Sequence, residues 1–199
     1  MTDPDVINSL AGLAPRSPLA LIRDGKPVTR ENAQASFRAL FELVRPGTVA
    51  LQERFAIATF VAGLHAQDDV MAFYTARLLR TMPPAEFLAV LSAEADRGRT
   101  VGPYGAYPKG ALTVENVAGL IYQVAATNRS ALGARLSAAL AHVHMLVFHP
   151  RDASPTSLQA LHDAGWSKND IVTLSQLVAF LAFQIRAVAG LRALTSANA

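Results

Sequence analysis

Six residues constrain this chain most: Ile171, Leu174, Val178, Leu181, Ile185 and Val188. They recur three and four positions apart, the spacing of one face of an α-helix. Ser167-Lys-Asn-Asp170 stands just ahead of them as a capping box, whose side chains satisfy the free N–H groups of a helix start. A long apolar helix needs partners of the same period, and the rest of the chain offers them. Ala and Leu dominate and Arg is frequent, all good helix formers, and β-branched residues rarely alternate with polar ones. The expected fold class is all-α. The apolar run from Ile171 to Ile185 is interrupted by Ser175, Gln176 and Gln184 and falls short of the about 20 residues of a membrane span. It reads as a buried helix, and no membrane contact is expected.

The same signals predict further helices. Two short ones fall near residues 4–12 and 17–23, with Pro15 and Pro18 at their joint. A longer one starts after Thr29 as N-cap, carries Ala33, Phe37, Leu40, Phe41 and Val44 on one stripe, and stops at Pro46-Gly47. The next covers about 51–66, with Phe55, Ala58, Ala62 and His65 on a face. Asp68-Asp69 opens another, through about Arg80, which Pro83-Pro84 ends. Others are expected near 84–96, 114–125, 130–148 and 155–163. Between them lies Arg97-Gly-Arg-Thr-Val-Gly-Pro-Tyr-Gly-Ala-Tyr-Pro-Lys-Gly110. Irregular stretches this long in a compact domain are often lids or linkers. Residues 97–112 are therefore read as a loop joining two related halves, about 1–96 and 113–199, of a single domain spanning 1–199.

A chain of 199 residues can bury a sizeable core. With 51% hydrophobic and 17% charged residues it is richer in apolar groups than an average domain, so part of that surface is expected in a homo-oligomer interface. The 18 basic residues exceed the 15 acidic ones by little and are scattered, whereas nucleic-acid binding wants a basic patch, and none is expected to bind. There is no cysteine, which removes disulfides, thiolate metal sites and sulfur nucleophiles together. The start, Met1-Thr-Asp-Pro-Asp5, lacks the basic and apolar segments of a signal peptide, and a cytoplasmic location is expected.

Two stretches carry a resemblance. Leu51-Gln-Glu-Arg-Phe-Ala-Ile-Ala-Thr-Phe-Val-Ala-Gly-Leu-His65 resembles the helix leading into the redox motif of alkylhydroperoxidase D-like proteins. Residues 161–192, with Gly165, the polar cap at Ser167, the long helix and a late Arg, resemble the ending of the peroxidase-related branch. Phe148-His-Pro-Arg-Asp152 and Gly102-Pro-Tyr-Gly105 are similar to a cysteine-free subgroup of the carboxymuconolactone decarboxylase family. The resemblance implies a helical bundle and an oligomer: dimer, trimer or hexamer. In the family's peroxidases a Glu precedes a Cys-x-x-Cys and a His. Laid on that pattern, Glu53 matches the Glu, while His65, Asp68 and Ala72 stand at the two cysteines and the histidine. A thiol that cycles through sulfenate and disulfide has no replacement here. The resemblance thus implies a non-peroxidatic subunit, with a cysteine-bearing alkylhydroperoxidase-domain protein as companion. The alternative is an acid–base lyase or isomerase acting on a small carboxylated or lactone-like molecule, with no cofactor.

For that alternative the candidate catalytic residues are Glu53, His65 and Asp68. A carboxylate three residues from a histidine orients it if one helix holds both. The plainer reading makes Asp68 a helix-start charge, His65 a half-buried polar residue and Glu53 a charge at a helix N-terminus. Arg186 interrupts an apolar helix, so it is either a structural ion pair or subunit contact, or the anion holder of a pocket, with Gln176 in the same network. Tyr104, with Tyr107, Arg97 and Arg99, belongs to the lid or arm. His142, His144 and His149 are a second group, but His142 and His144 point about 200° apart on a helix and His149 lies about 10 Å further along. No metal is expected there, and the plain reading is packing around Met145-Leu-Val-Phe148.

Overall fold

The computed structural model describes residues 5–43 and 47–197. Nine α-helices are present among them: α1 (Val6–Ala11), α2 (Pro18–Asp24), α3 (Pro27–Phe41), α4 (Leu51–Leu64), α5 (Asp68–Leu79), α6 (Phe87–Gly98), α7 (Arg129–Phe148), α8 (Pro155–Asp163) and α9 (Lys168–Ala197). No strand occurs among the described residues; a single antiparallel bridge joins Gly105 to Val117. The fold is all-α, as the periodicity requires.

The capping box ahead of α9 is formed as written in the sequence. Ser167 N–H donates to Asp170 Oδ2 at 3.0 Å, and Asp170 N–H donates to Ser167 Oγ at 3.2 Å. Of the stripe behind it, Leu174, Val178, Leu181, Ile185 and Val188 are buried, and Ile171 is half-buried. Removing a leucine side chain from water in this way contributes roughly 1.5–3 kcal/mol before entropy is counted. These residues pack with α4, whose segment Phe55–Leu64 is buried on every side. A helix buried all round has to be central, and α4 contacts α3, α5, α6, α7 and α9. At Gly63 a Cβ would stand 2.8 Å from Ala95 Cβ, so α4 and α6 approach more closely than any side chain allows.

Some boundaries differ from expectation. Helix α3 begins at Pro27, not after Thr29, because proline suits the first turn, where no N–H partner is needed. It ends at Phe41; Pro4, Val44 and Pro46, used in the sequence reading, lie outside the described residues. Arg97 belongs to α6 rather than to a loop. The larger correction concerns residues 114–125, where no α-helix forms. The irregular arm runs over 99–128, interrupted by short 3-10 turns at Ala111–Glu115 and Ala126–Asn128. Val114, Val117 and Ile121 have helical spacing but remain exposed, and without a surface to bury against, spacing alone does not hold a helix. The arm instead follows the protein surface: a Cβ on Gly119 would collide with the Tyr104 ring.

Helices α7 and α9 are long and apolar enough to cross a membrane by length and composition. Both pack against α4 and against each other, and both carry buried polar groups, His142 and His144 on α7 and Gln184 on α9.

Candidate functional site

Helix α4 ends with His65 as its C-cap, and the chain turns at once into α5 through Ala66, whose φ of +51° reverses its direction. His65 and Asp68 therefore sit on different helices. Asp68 starts α5 and is exposed, away from any described cavity. Glu53 is the third residue of α4 and is occupied twice. It accepts from Ala50 N–H at 3.0 Å and from Arg135 Nε at 2.7 Å. Arg135 also reaches Asp170 at 3.3 Å and lies 4.2 Å over the Trp166 ring. This network ties α4, α7 and α9 together.

His65 instead shares a cavity of about 600 Å3 with Arg186 and Arg99. The walls are apolar, from Leu64, Val101, Pro103, Leu146 and Phe148 among others. Burial, reinforced by the charge of Arg186, lowers the His65 pKa below its usual value, so the ring is neutral near pH 7. Its Nε2 is buried and has no protein partner. Arg186 donates to the Ala182 carbonyl of its own helix at 3.1 Å and has no carboxylate partner among the described residues. Arg99 donates to the Gly63 carbonyl at 3.1 Å and pairs with Asp96. A cavity with guanidinium groups, one unpaired, a neutral imidazole and apolar walls suits a small organic anion.

Gln176 lies elsewhere on α9. It is exposed, beside Arg54, Thr173 and Phe183, roughly 15 Å along the axis from Arg186, so the two form no single network. Tyr104 is buried in the arm. Its hydroxyl donates to the Leu120 carbonyl, and its ring stacks on His149 with centroids 4.9 Å apart. It does not line the His65 cavity.

On the other side of the end of α7 lies a second cavity, of about 400 Å3, between α7, α8 and the arm. Its wall includes Tyr122, His142, Met145, His149 and Asp152. His149 Nδ1 is 3.0 Å from Asp152 Oδ2, and Asp152 Oδ1 accepts from Ala106 N–H at 2.9 Å. That backbone hydrogen bond, with His149, holds the Asp152 carboxyl below the usual carboxylate range. Burial lowers the His142 pKa, and its Nδ1 has no partner. Behind the wall, Tyr122 donates to Glu94 at 2.6 Å. Glu94 is fully buried and also accepts from Asn128, Ala125 N–H and Arg97. Burial alone would raise its pKa, but these donors outweigh it and lower it.

Glu94, Tyr122 and Asp152 were not singled out from the sequence. One signal was present: Phe87, Leu91 and Glu94 share a helical spacing with Gly98, which marks a carboxylate on a buried face. A third hollow, of about 680 Å3 among α1–α3, has no histidine; its Asp24 pairs with its Arg30, and its Asp5 is taken by Arg23 outside the wall. No cluster of three or more His, Asp or Glu able to hold a metal occurs among the described residues.

Comparison with known proteins gives no match to a family model, to a curated protein or to a solved structure. Fold and geometry define the class on their own: an all-helical, cysteine-free protein with a histidine-bearing cavity on each side of the end of α7.

Proposed function

We propose that this protein binds a small carboxylated molecule in the cavity at the α4–α5 turn and acts on it by thiol-independent acid–base chemistry, as a lyase or isomerase. One observation carries the reading: Arg186, from the late part of the chain, and His65, at the end of α4, line the same apolar-walled cavity. Arg186 holds the carboxylate, with Arg99 adding positive charge. His65, neutral near pH 7, accepts a proton from the bound molecule. The resemblance to the alkylhydroperoxidase D-like and carboxymuconolactone decarboxylase families supports this placement, since His65 stands where those peroxidases carry their first cysteine.

Calorimetric titration with a panel of small carboxylates and lactone carboxylates tests it. Arg186→Gln is expected to weaken binding about 10–100-fold, the scale of a lost charge-assisted hydrogen bond. His65→Ala is expected to abolish turnover while leaving the anion bound. Equal affinity in wild type and Arg186→Gln would remove the assignment.

A second reading is that the chain is a non-peroxidatic subunit, of a homo-oligomer or of an assembly with a cysteine-bearing alkylhydroperoxidase-domain protein. It is favoured by the exposed apolar side chains of the arm, with Val101, Val114 and Ile121 at 93%, 88% and 79% exposure. Light scattering at micromolar concentration tests the homo-oligomer, and a monomer would count against it. Co-purification with such a companion tests the mixed assembly. Peroxide consumption with a dithiol reductant is expected to stay at the buffer level in either reading; turnover well above buffer would defeat both.

A further inference from the structure

The cavity between α7, α8 and the arm differs from the first in chemistry as well as in place. No Lys or Arg lines it among the described residues, and Asp152 contributes a carboxylate to its wall. Arg151, next in sequence, is turned away onto the Tyr107 ring at 4.2 Å, and Arg97 is paired with Glu94. A ligand that arrives already as an anion therefore finds no Lys or Arg here and meets a negative charge.

The wall does offer hydrogen-bonding side chains. His142 is 6% exposed, lines the cavity, and leaves Nδ1 without a protein partner. A buried polar atom without a partner is rare in native proteins. His149 is arranged differently. Asp152 accepts from its Nδ1–H at 3.0 Å, which puts the proton of the neutral ring on Nδ1 and the lone pair on Nε2. Tyr104 stacks on the same ring and fixes its plane. An oriented imidazole backed by a carboxylate is the arrangement of a general base. Ile121, Ala138, Ala141 and Met145 give the wall an apolar stretch that suits a ring, and Gln123 and Ser157 add polar groups at its side.

We propose that this slot binds an uncharged, planar, hydroxyl-bearing molecule of phenol type, with His149 as the base that takes its hydroxyl proton. The phenol O–H bond breaks and an N–H bond forms at Nε2. The electron pair stays on the phenolate oxygen, and the resulting imidazolium lies between that oxygen and the Asp152 carboxylate. His142 stands beside the pair in the same wall. The site is independent of the carboxylate cavity: the two share no lining residue.

4-Nitrophenol tests this, because its anion absorbs visible light and its neutral form does not. At a pH about one unit below the probe's own midpoint, the intact protein is expected to convert bound probe to the phenolate, read as a rise in visible absorbance. His149→Gln should remove the rise. Ala141→Phe, which fills the slot and leaves the His149–Asp152 pair in place, should weaken probe binding at least tenfold, and it decides the matter if His149→Gln fails to fold. Excess benzoate, the anion of similar size, should not displace the probe. The proposal is overturned by any of three results: no absorbance change with wild type at saturating protein, including binding without colour; a change that survives both substitutions; or displacement by benzoate, which would place the probe in the Arg186 cavity instead.

Discussion

Tyr122 donates its hydroxyl to Glu94 across 2.6 Å, and this bond fastens the irregular arm to α6. Asn128 and the Ala125 N–H converge on the same carboxylate, so one buried side chain terminates a long stretch without helix or sheet. Glu94→Ala leaves three arm donors without their acceptor. The expected loss is about 2–4 kcal/mol in urea unfolding. Hydrogen exchange should rise first in residues 116–128. Uniform exchange across the whole chain would show that Glu94 supports the core and not the arm.

Glu53 and Arg135 pair at 2.7 Å with both side chains partly buried. Glu53→Gln is expected to cost about 1–3 kcal/mol of stability, since the guanidinium keeps Asp170 but loses its shorter contact. Carboxylate binding at the Arg186 cavity should change by less than about twofold. A loss of binding comparable to that of Arg186→Gln would return Glu53 to the set of residues acting on the ligand.

Acid should destabilise the fold in a window set by histidines. His144 donates Nε2–H to the Gly98 carbonyl at 2.8 Å, and burial pushes its pKa down to about 4, against that hydrogen bond and with help from His149. His65 and His142 are lowered too, again chiefly by burial. Each is neutral in the folded chain at pH values where the unfolded chain binds a proton. Their contribution is whole above the unfolded value of about 6.5 and is lost as pH falls from there toward about 4, on the order of 3 kcal/mol for His144 alone. The lowered carboxylates Glu94, Asp152 and Asp170 add their loss only at lower pH, beneath the ordinary carboxylate range. Urea midpoints between about pH 7.5 and 4.5 check this. His144→Gln should begin less stable and show a shallower slope, and an unchanged slope would refute the assignment.

Gly105 has φ +123°, and a Cβ there would stand 2.9 Å from Asp152 Oδ1. Gly105→Ala both strains the backbone and pushes the carboxylate that holds His149. A cost of about 1–3 kcal/mol is expected, together with a weaker phenolate signal from 4-nitrophenol. A full signal would mean that Asp152 does not orient the ring.

The helices that were legible in the sequence are those whose apolar period meets a surface. Leu174, Val178, Leu181 and Ile185 gave α9 because α4 lies under them, and Ser167 with Asp170 gave its start. Val114, Val117 and Ile121 have the same spacing and gave nothing, because what decides them is the Tyr104 ring and the Glu94 carboxylate, both remote in sequence. The site was partly legible for the same reason. His65 and Arg186 were visible as polar interruptions of apolar helices, although only the packing of α4 against α9 brings them to one cavity. Glu53 stood out only through a resemblance, and its partner Arg135 is on a helix that no local rule connects to it. His149 was visible and its use was not, since Asp152 becomes its partner only after α7 ends and the chain tightens into a 3-10 turn.

Phe148 and His149 are consecutive residues, yet one faces the first chamber and the other the second. The partition between them is a single peptide unit, held by the Tyr104 N–H at the Phe148 carbonyl. Both chambers thus share one short piece of backbone, and its conformation sets where the Phe148 ring stands in one and where the imidazole stands in the other.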